Sequence, residues 1–180
     1  FLDAAAESGY TYTDGKLIGG GEDDDGDVRY SKEKSFSDQI DDVINGEHNS
    51  RYDLYISDTP KILKDLNFPD APLLMRNGKI SEILQKHPEM SAELLKKIPD
   101  AITDPALILK SKTHPVDSVV IISDVMTSNG EMIVPIWVNQ EGNYIDVEMG
   151  SVSTNANFVA SAYGRSVKSL LEYARDNDGF

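Results

Sequence analysis

Residues 118–152 read SVVIISDVMTSNGEMIVPIWVNQEGNYIDVEMGSV. Apolar and polar side chains alternate through three runs, 118–126, 132–139 and 144–152, and a period of two marks strands with one face buried. SNGE and QEGN separate the runs, and their Asn–Gly and Gly–Asn pairs suit tight hairpin turns. Three strands in hairpin succession predict an antiparallel meander. Pro135 cannot donate to a strand ladder, so its place within MIVPIWVN predicts an edge strand or a bulge.

Upstream the period lengthens from two to about 3.6. SFSDQIDDVING sets Phe36, Ile40, Val43 and Ile44 at helical spacing, with Ser35 and Asp38 as a capping pair and Gly46 as the stop. RYDLYIS alternates as a first strand, SDTPKILKDLN starts a helix with Pro60 at its first position, and FPDAPLLMR is an extended connection ending in a short strand before an NGK turn. KISEILQKH and MSAELLKKIPDAI predict two helices between Lys79 and Ile102, with Pro99 kinking or ending the second. DPALILKS opens the sheet. SVKSLLEYARD places Val167, Leu170, Leu171 and Ala174 on one face of a closing helix. Helices followed by strands predict an α+β fold, with N-terminal helices packed on one face of an antiparallel β-sheet.

Composition narrows the chemistry. The 180 residues carry 39% hydrophobic side chains, enough at this length for one independent core. No uninterrupted apolar run approaches the roughly 18 residues of a membrane span, so no membrane association is expected. The chain begins with Phe and shows no signal peptide, which predicts a fragment of a larger polypeptide in the cytoplasm. Residues 1–34 form an acidic, Gly- and Asp-rich flexible linker by composition, and residues 35–180 a single domain. With no cysteine and three histidines at unrelated spacings, neither a disulfide framework nor a zinc site is expected, and no cofactor. The net charge of −14 divides into −6 over residues 1–30 and −8 over the remainder. An acidic body suits a basic protein partner, yet leaves room for a local basic site.

No phosphate loop, serine-hydrolase elbow or metalloprotease helix is present. The groups left for chemistry lie at the two ends of the sheet region. His87, beside Lys86 at a helix end, can exchange protons near neutral pH, or simply face the last carbonyls of its helix. Lys110, Lys112 and His114 form a small positive cluster before the first long strand, where turn chemistry is the plainer reading. In NFVASAYGRS, Ser161, Tyr163 and Arg165 share one face if the segment is extended. Arg165 then offers a planar fork to a phosphate, and Ser161 and Tyr163 supply neutral hydroxyls.

The ordered phrases SFSDQIDDVING, YISDTPKILKDLNFPDAPLLM, HPEMSAELLKKIPDAITDPALIL, SVVIISDV and SAYGR resemble the C-terminal domain of phage MuF-type proteins. That domain is grouped with phage relatives of the barnase–EndoU–colicin–RelE nucleases, and the resemblance covers roughly residues 35–175. It implies a small α+β fold with a curved sheet, at the end of a long phage or mobile-element protein. It further implies a metal-independent, toxin-like ribonuclease acting on RNA through 2′-hydroxyl attack, with an immunity protein as a conceivable partner. On the resemblance His87 would be the acid or base, Arg165 would hold phosphate, Ser161 and Tyr163 would position it, and Lys86 would contact substrate; the positive cluster holding Lys112 and His114, read from the residues alone, would add a second contact to the substrate phosphate. The alternative is a non-catalytic protein-interaction module of such a polyprotein.

Overall fold

The structure, a computed structural model, describes residues 11–13, 16–18, 34–111, 114 and 116–176. Within the acidic N-terminal stretch, β1 (Thr11–Thr13) pairs antiparallel with β2 (Lys16–Ile18), apart from the main sheet. The rest of the proposed linker, except residue 34, lies outside the described residues.

The first helix of the domain, α1 (Phe36–Asn45), begins where Ser35 Oγ accepts the Asp38 N–H, and ends at Gly46, whose φ of +74° a side chain would resist. Buried Gln39 pins α1 to β3 (Leu54–Asp58). Its amide donates to the Tyr55 carbonyl at 2.8 Å and accepts the Tyr55 N–H at 2.9 Å, so this outer strand presents satisfied backbone there. After α2 (Lys61–Lys64) and β4 (Pro72–Met75), α3 spans Asn77–Lys86. NGK is therefore a helix start and not a turn: the Asn77 amide donates to the carbonyls of Ser50 and Tyr52, anchoring the first turn. The region expected to hold two helices holds three, because α4 (Ala92–Leu95) stops short of α5 (Ile98–Thr103), whose first turn contains Pro99. A proline without an N–H fits a helix start better than a helix interior.

The remaining chain gives β5 (Leu107–Lys110), β6 (Ser118–Thr127), β7 (Gly130–Asp146), β8 (Gly150–Val159), β9 (Tyr163–Arg165) and α6 (Val167–Asp176). Of the face expected for α6, Leu171 is exposed, and the side chains of Val167, Leu170 and Ala174 lie outside the described residues. The seven-stranded sheet runs β3-β4-β8-β7-β6-β5, with β9 also on β7. The architecture is α+β, as expected, but the sheet is mixed, because β4 runs parallel to β8 through Leu73↔Asn157, Leu74↔Phe158 and Met75↔Val159. A parallel pair needs a long crossover, and the whole helical and β5–β7 segment supplies it.

The hairpin expected at QEGN does not exist. β7 runs through Gln140–Asn143 without turning, and the chain reverses between Asp146 and Gly150. Gly142 is needed for space: a Cβ there would lie 2.7 Å from Leu74 Cδ1 and 2.8 Å from Phe158 Cζ. The real turn is made by Asp146, whose Oδ1 accepts the N–H groups of Glu148 and Met149, and by Gly150 at φ +73°. The register of β7 against β8 shifts between Trp137 and Gln140, where Asn139 has φ +57° and its N–H donates to buried Asn157 Oδ1. Pro135 sits in a central strand, opposite Val120, two residues before this irregularity.

Alternation along β7 divides two faces. Met132, Val134 and Ile136 are fully buried against the helices, with Ile40, Ile80, Ile98 and Ile102 in the main core. Ile133, Pro135 and Trp137 point to the other side, where Ile133 packs with Leu109, Val120 and Ile122. Tyr163 and Arg165 lie on that second face, as their partners Ile133 and Glu131 do. No helix among the described residues is long and apolar enough to cross a membrane.

Candidate functional site

β9 lies antiparallel to the start of β7 in the register Glu131↔Arg165, Met132↔Gly164 and Ile133↔Tyr163. The segment is thus extended, and Tyr163 and Arg165 share the face of Ile133, Pro135 and Trp137. They line a cavity of about 550 Å³ together with Ser161. Val120, Pro135, Trp137 and Ser118 line it from one sheet face, Ser118 lying opposite Trp137 in the β6–β7 register; Ser111, His114 and, from α3, Lys79 also line it. Ala160 and, one helical turn apart on α6, Glu172 and Asp176 complete the lining.

His114 belongs to this cavity, although turn chemistry alone could account for its position in the sequence. The turn is what places it. Its N–H donates to Ser111 Oγ, and its carbonyl accepts both the N–H and the hydroxyl of Ser118. The ring stands edge-on to Trp137, with centroids 6.1 Å apart and planes at 68°. Nδ1 lies 3.9 Å from Asp117 Oδ1, a pair half open to solvent.

His87 reaches the same region from the other side. It closes α3, its N–H bonded to the Ile83 carbonyl, and its ring stacks on Tyr163 at 5.4 Å with planes 25° apart. Nδ1 is 3.6 Å from Glu89 Oε1, and that oxygen also accepts the Gly164 N–H at 3.0 Å. The Glu89 side chain is only 5% exposed. One buried carboxylate therefore ties the helix end carrying His87 to the strand carrying Tyr163 and Arg165. His87 is not itself part of the cavity wall; it touches the site through the Tyr163 ring.

The lysines divide. Lys79 lines the cavity while its ammonium bonds Glu82 Oε2, and Lys86 bonds Glu82 Oε1, both at 2.8 Å. Lys79 first, then Lys86, hold the Glu82 carboxyl down at about 2 by these hydrogen bonds. Lys86 does not line the cavity, and Lys112 lies outside the described residues. Sequence reasoning missed Lys79, Glu89, Trp137 and the two acids of α6. Only Trp137 carried a signal, since it shares the alternation of Pro135.

A second cavity, about 610 Å³, opens between the α2 region and the β5–β6 edge, lined by Ile62, Leu66, Phe68, Val116 and Val119, with Asp65 and Lys110 at its rim. It offers apolar surface but neither an imidazole nor a guanidinium. The Arg165 cavity instead combines an imidazole, a guanidinium and hydroxyls, the set that can move protons and hold an anion.

The family model of the phage MuF C-terminal domain matches residues 79–179, which include every residue lining this cavity. No curated protein and no solved structure matches the chain. With more than half of its length matched, the chain belongs to the phage MuF C-terminal domain family.

Proposed function

We propose that this domain is a ribonuclease that works without a metal ion, cleaving RNA by attack of a 2′-hydroxyl on the adjacent phosphate. The observation that carries the reading is the meeting of Arg165, Tyr163, Ser161 and His114 in one cavity, with His87 stacked on Tyr163. These residues come from positions up to 78 apart in sequence. The guanidinium of Arg165 would hold the phosphate oxygens and the charge that grows on them in the phosphorane. His114, which lines the cavity, would take the proton of the 2′-hydroxyl, and water in the cavity would return one to the departing 5′-oxygen, while His87, outside the wall, would hold the Tyr163 ring in place. The products are a 2′,3′-cyclic phosphate and a free 5′-hydroxyl. Ser161 and Tyr163 add neutral hydrogen bonds that orient the phosphate.

Purified protein incubated with total RNA and a tRNA pool in EDTA, beside His87→Ala, His114→Ala and Arg165→Ala, tests this. The expected outcome is cleavage by the parent to 2′,3′-cyclic ends, with a loss of roughly 10²–10⁴-fold for His114→Ala, the range of general acid–base catalysis, and a smaller loss for His87→Ala, which removes the support of the Tyr163 ring. No cleavage by the parent, or equal cleavage by all four proteins, overturns the reading and leaves an interaction module whose acidic body meets a basic protein.

A further inference from the structure

The chain has a single tryptophan, and the fold leaves it partly exposed. Trp137 lies in the long central strand β7, with β6 on one side and β8 on the other, yet it is 39% exposed. Across β6 it faces Ser118, a small residue whose hydroxyl is turned to the His114 carbonyl. Pro135 and Val120 continue an apolar floor beside the indole, so the ring borders a slot in the cavity and not open convex surface. His114 meets the indole edge-on and does not stack face to face with it. An aromatic ring of this size contributes a large buried area when it finds a partner, and among the described residues its ring contact is the edge-on one with His114.

The charges around the slot favour one kind of guest. Arg165, His114 and Lys79 line the same cavity, so an apolar planar group on Trp137 would have its negative appendage within the same enclosure. A nucleotide has that build: a π face sequence-tolerant in its stacking, joined to a phosphate. The opposing charges include Glu131 across the strand pair from Arg165, Glu172 and Asp176 on α6, Asp117 beside His114, and Glu82 on Lys79. They set the balance against bulk polyanion binding and leave stacking as the contribution that selects the guest. A base paired in a helix has its faces covered by neighbouring pairs and cannot enter such a slot.

We propose that Trp137 is the stacking platform for an unpaired nucleobase, so that the cavity takes single-stranded RNA and excludes duplex. This rests on the ribonuclease reading for the identity of the phosphate site, but its test does not require cleavage. The probes are a 2′-O-methyl oligouridylate of eight nucleotides, which lacks the attacking hydroxyl, the same strand with abasic sugars, and a 2′-O-methyl duplex of equal length. Because Trp137 is the sole tryptophan, its fluorescence reports the slot directly. Saturable quenching by the base-bearing single strand, with little change from the abasic strand or the duplex, is the expected result. Trp137→Ala should weaken binding of the labelled single strand by roughly 5- to 160-fold, the equivalent of about 1–3 kcal/mol of base–aromatic stacking. Trp137→Phe should retain most of the affinity, which separates lost stacking from a misfolded strand. Equal binding of abasic and base-bearing strands, tighter binding of the duplex, or full affinity in Trp137→Ala overturns the proposal. If RNA is cleaved but Trp137 never responds, the stacking site fails and the ribonuclease stands. If Trp137 responds and no RNA is cleaved, the reverse holds.

Discussion

At Gly164 three parts of the site come within a carbon atom of each other. A Cβ there would fall 1.9 Å from Thr127 Oγ1 and 3.0 Å from Glu89 Cγ, while its N–H bonds Glu89. Its neighbours in sequence are Tyr163 and the phosphate-holding candidate Arg165, and Glu89 contacts His87. Gly164→Ala must therefore push β9 away from the end of α3 and from the β6–β7 turn. The expected cost is roughly 1–3 kcal/mol, as for other overpacked sites, with the His87–Tyr163 stack disturbed as well. Gly78→Ala is the matched control: it lies within α3, and nothing stands within 4 Å of its added carbon. There alanine should stabilise by up to about 1 kcal/mol through helix propensity. Thermal unfolding of both variants decides the matter, and equal melting points would remove the packing argument. In the sequence, Gly164 reads as a break in a polar segment, because a glycine kept for lack of space looks the same as one kept for its φ. Glu89 was equally hidden: nothing in KHPEM signals that a carboxylate two residues past the histidine turns back to it and to a strand 75 positions away.

At the scale of elements, α6 is the piece whose position is most telling. It brings Glu172 and Asp176 to the mouth of a cavity that also holds Arg165, Lys79 and His114. Arg175 sits 3.2 Å from Asp176 and offsets part of its charge, so Glu172 should be the stronger repellent toward an incoming phosphate. Glu172→Gln with Asp176→Asn should tighten binding of the uncleavable single strand by roughly two- to tenfold at low salt, as expected for exposed like charges, and the gain should fade at high salt. Weaker binding by the double variant would mean instead that the helix acids hold the cationic groups in place. The helix itself was legible from its 3.6 period, as were α1 with both caps, the strand β6 and the first part of β7, because each is written in local spacing. The parallel pairing of β4 with β8 was not, since residues 73 and 157 share no local pattern. The same holds for the length of β7: QEGN carries turn residues, but the space under Phe158 and Leu74 demands a glycine in a continuing strand.

For the molecule as a whole, the charge of −14 and the candidate site pull in opposite directions. A protein that grips a nucleic acid along its surface neutralises many phosphates, and its affinity falls steeply with salt. On the proposed reading the acidic body would repel a strand, and the cations lining the cavity, Arg165 with His114 or Lys79, would be where it is met. About one or two phosphates would be neutralised, which sets a slope of log K against log salt between about −0.7 and −1.4 for a single strand. Stacking on Trp137 carries no such dependence, so the remaining affinity should persist at high salt and vanish in Trp137→Ala. Titration of the uncleavable strand across a salt series measures both at once. A slope steeper than about −3 would place the strand on an extended basic surface and sink the local-site picture. A shallow slope that survives loss of Arg165 would show the base, and not the phosphate, to be the part of the ligand that this family member grips.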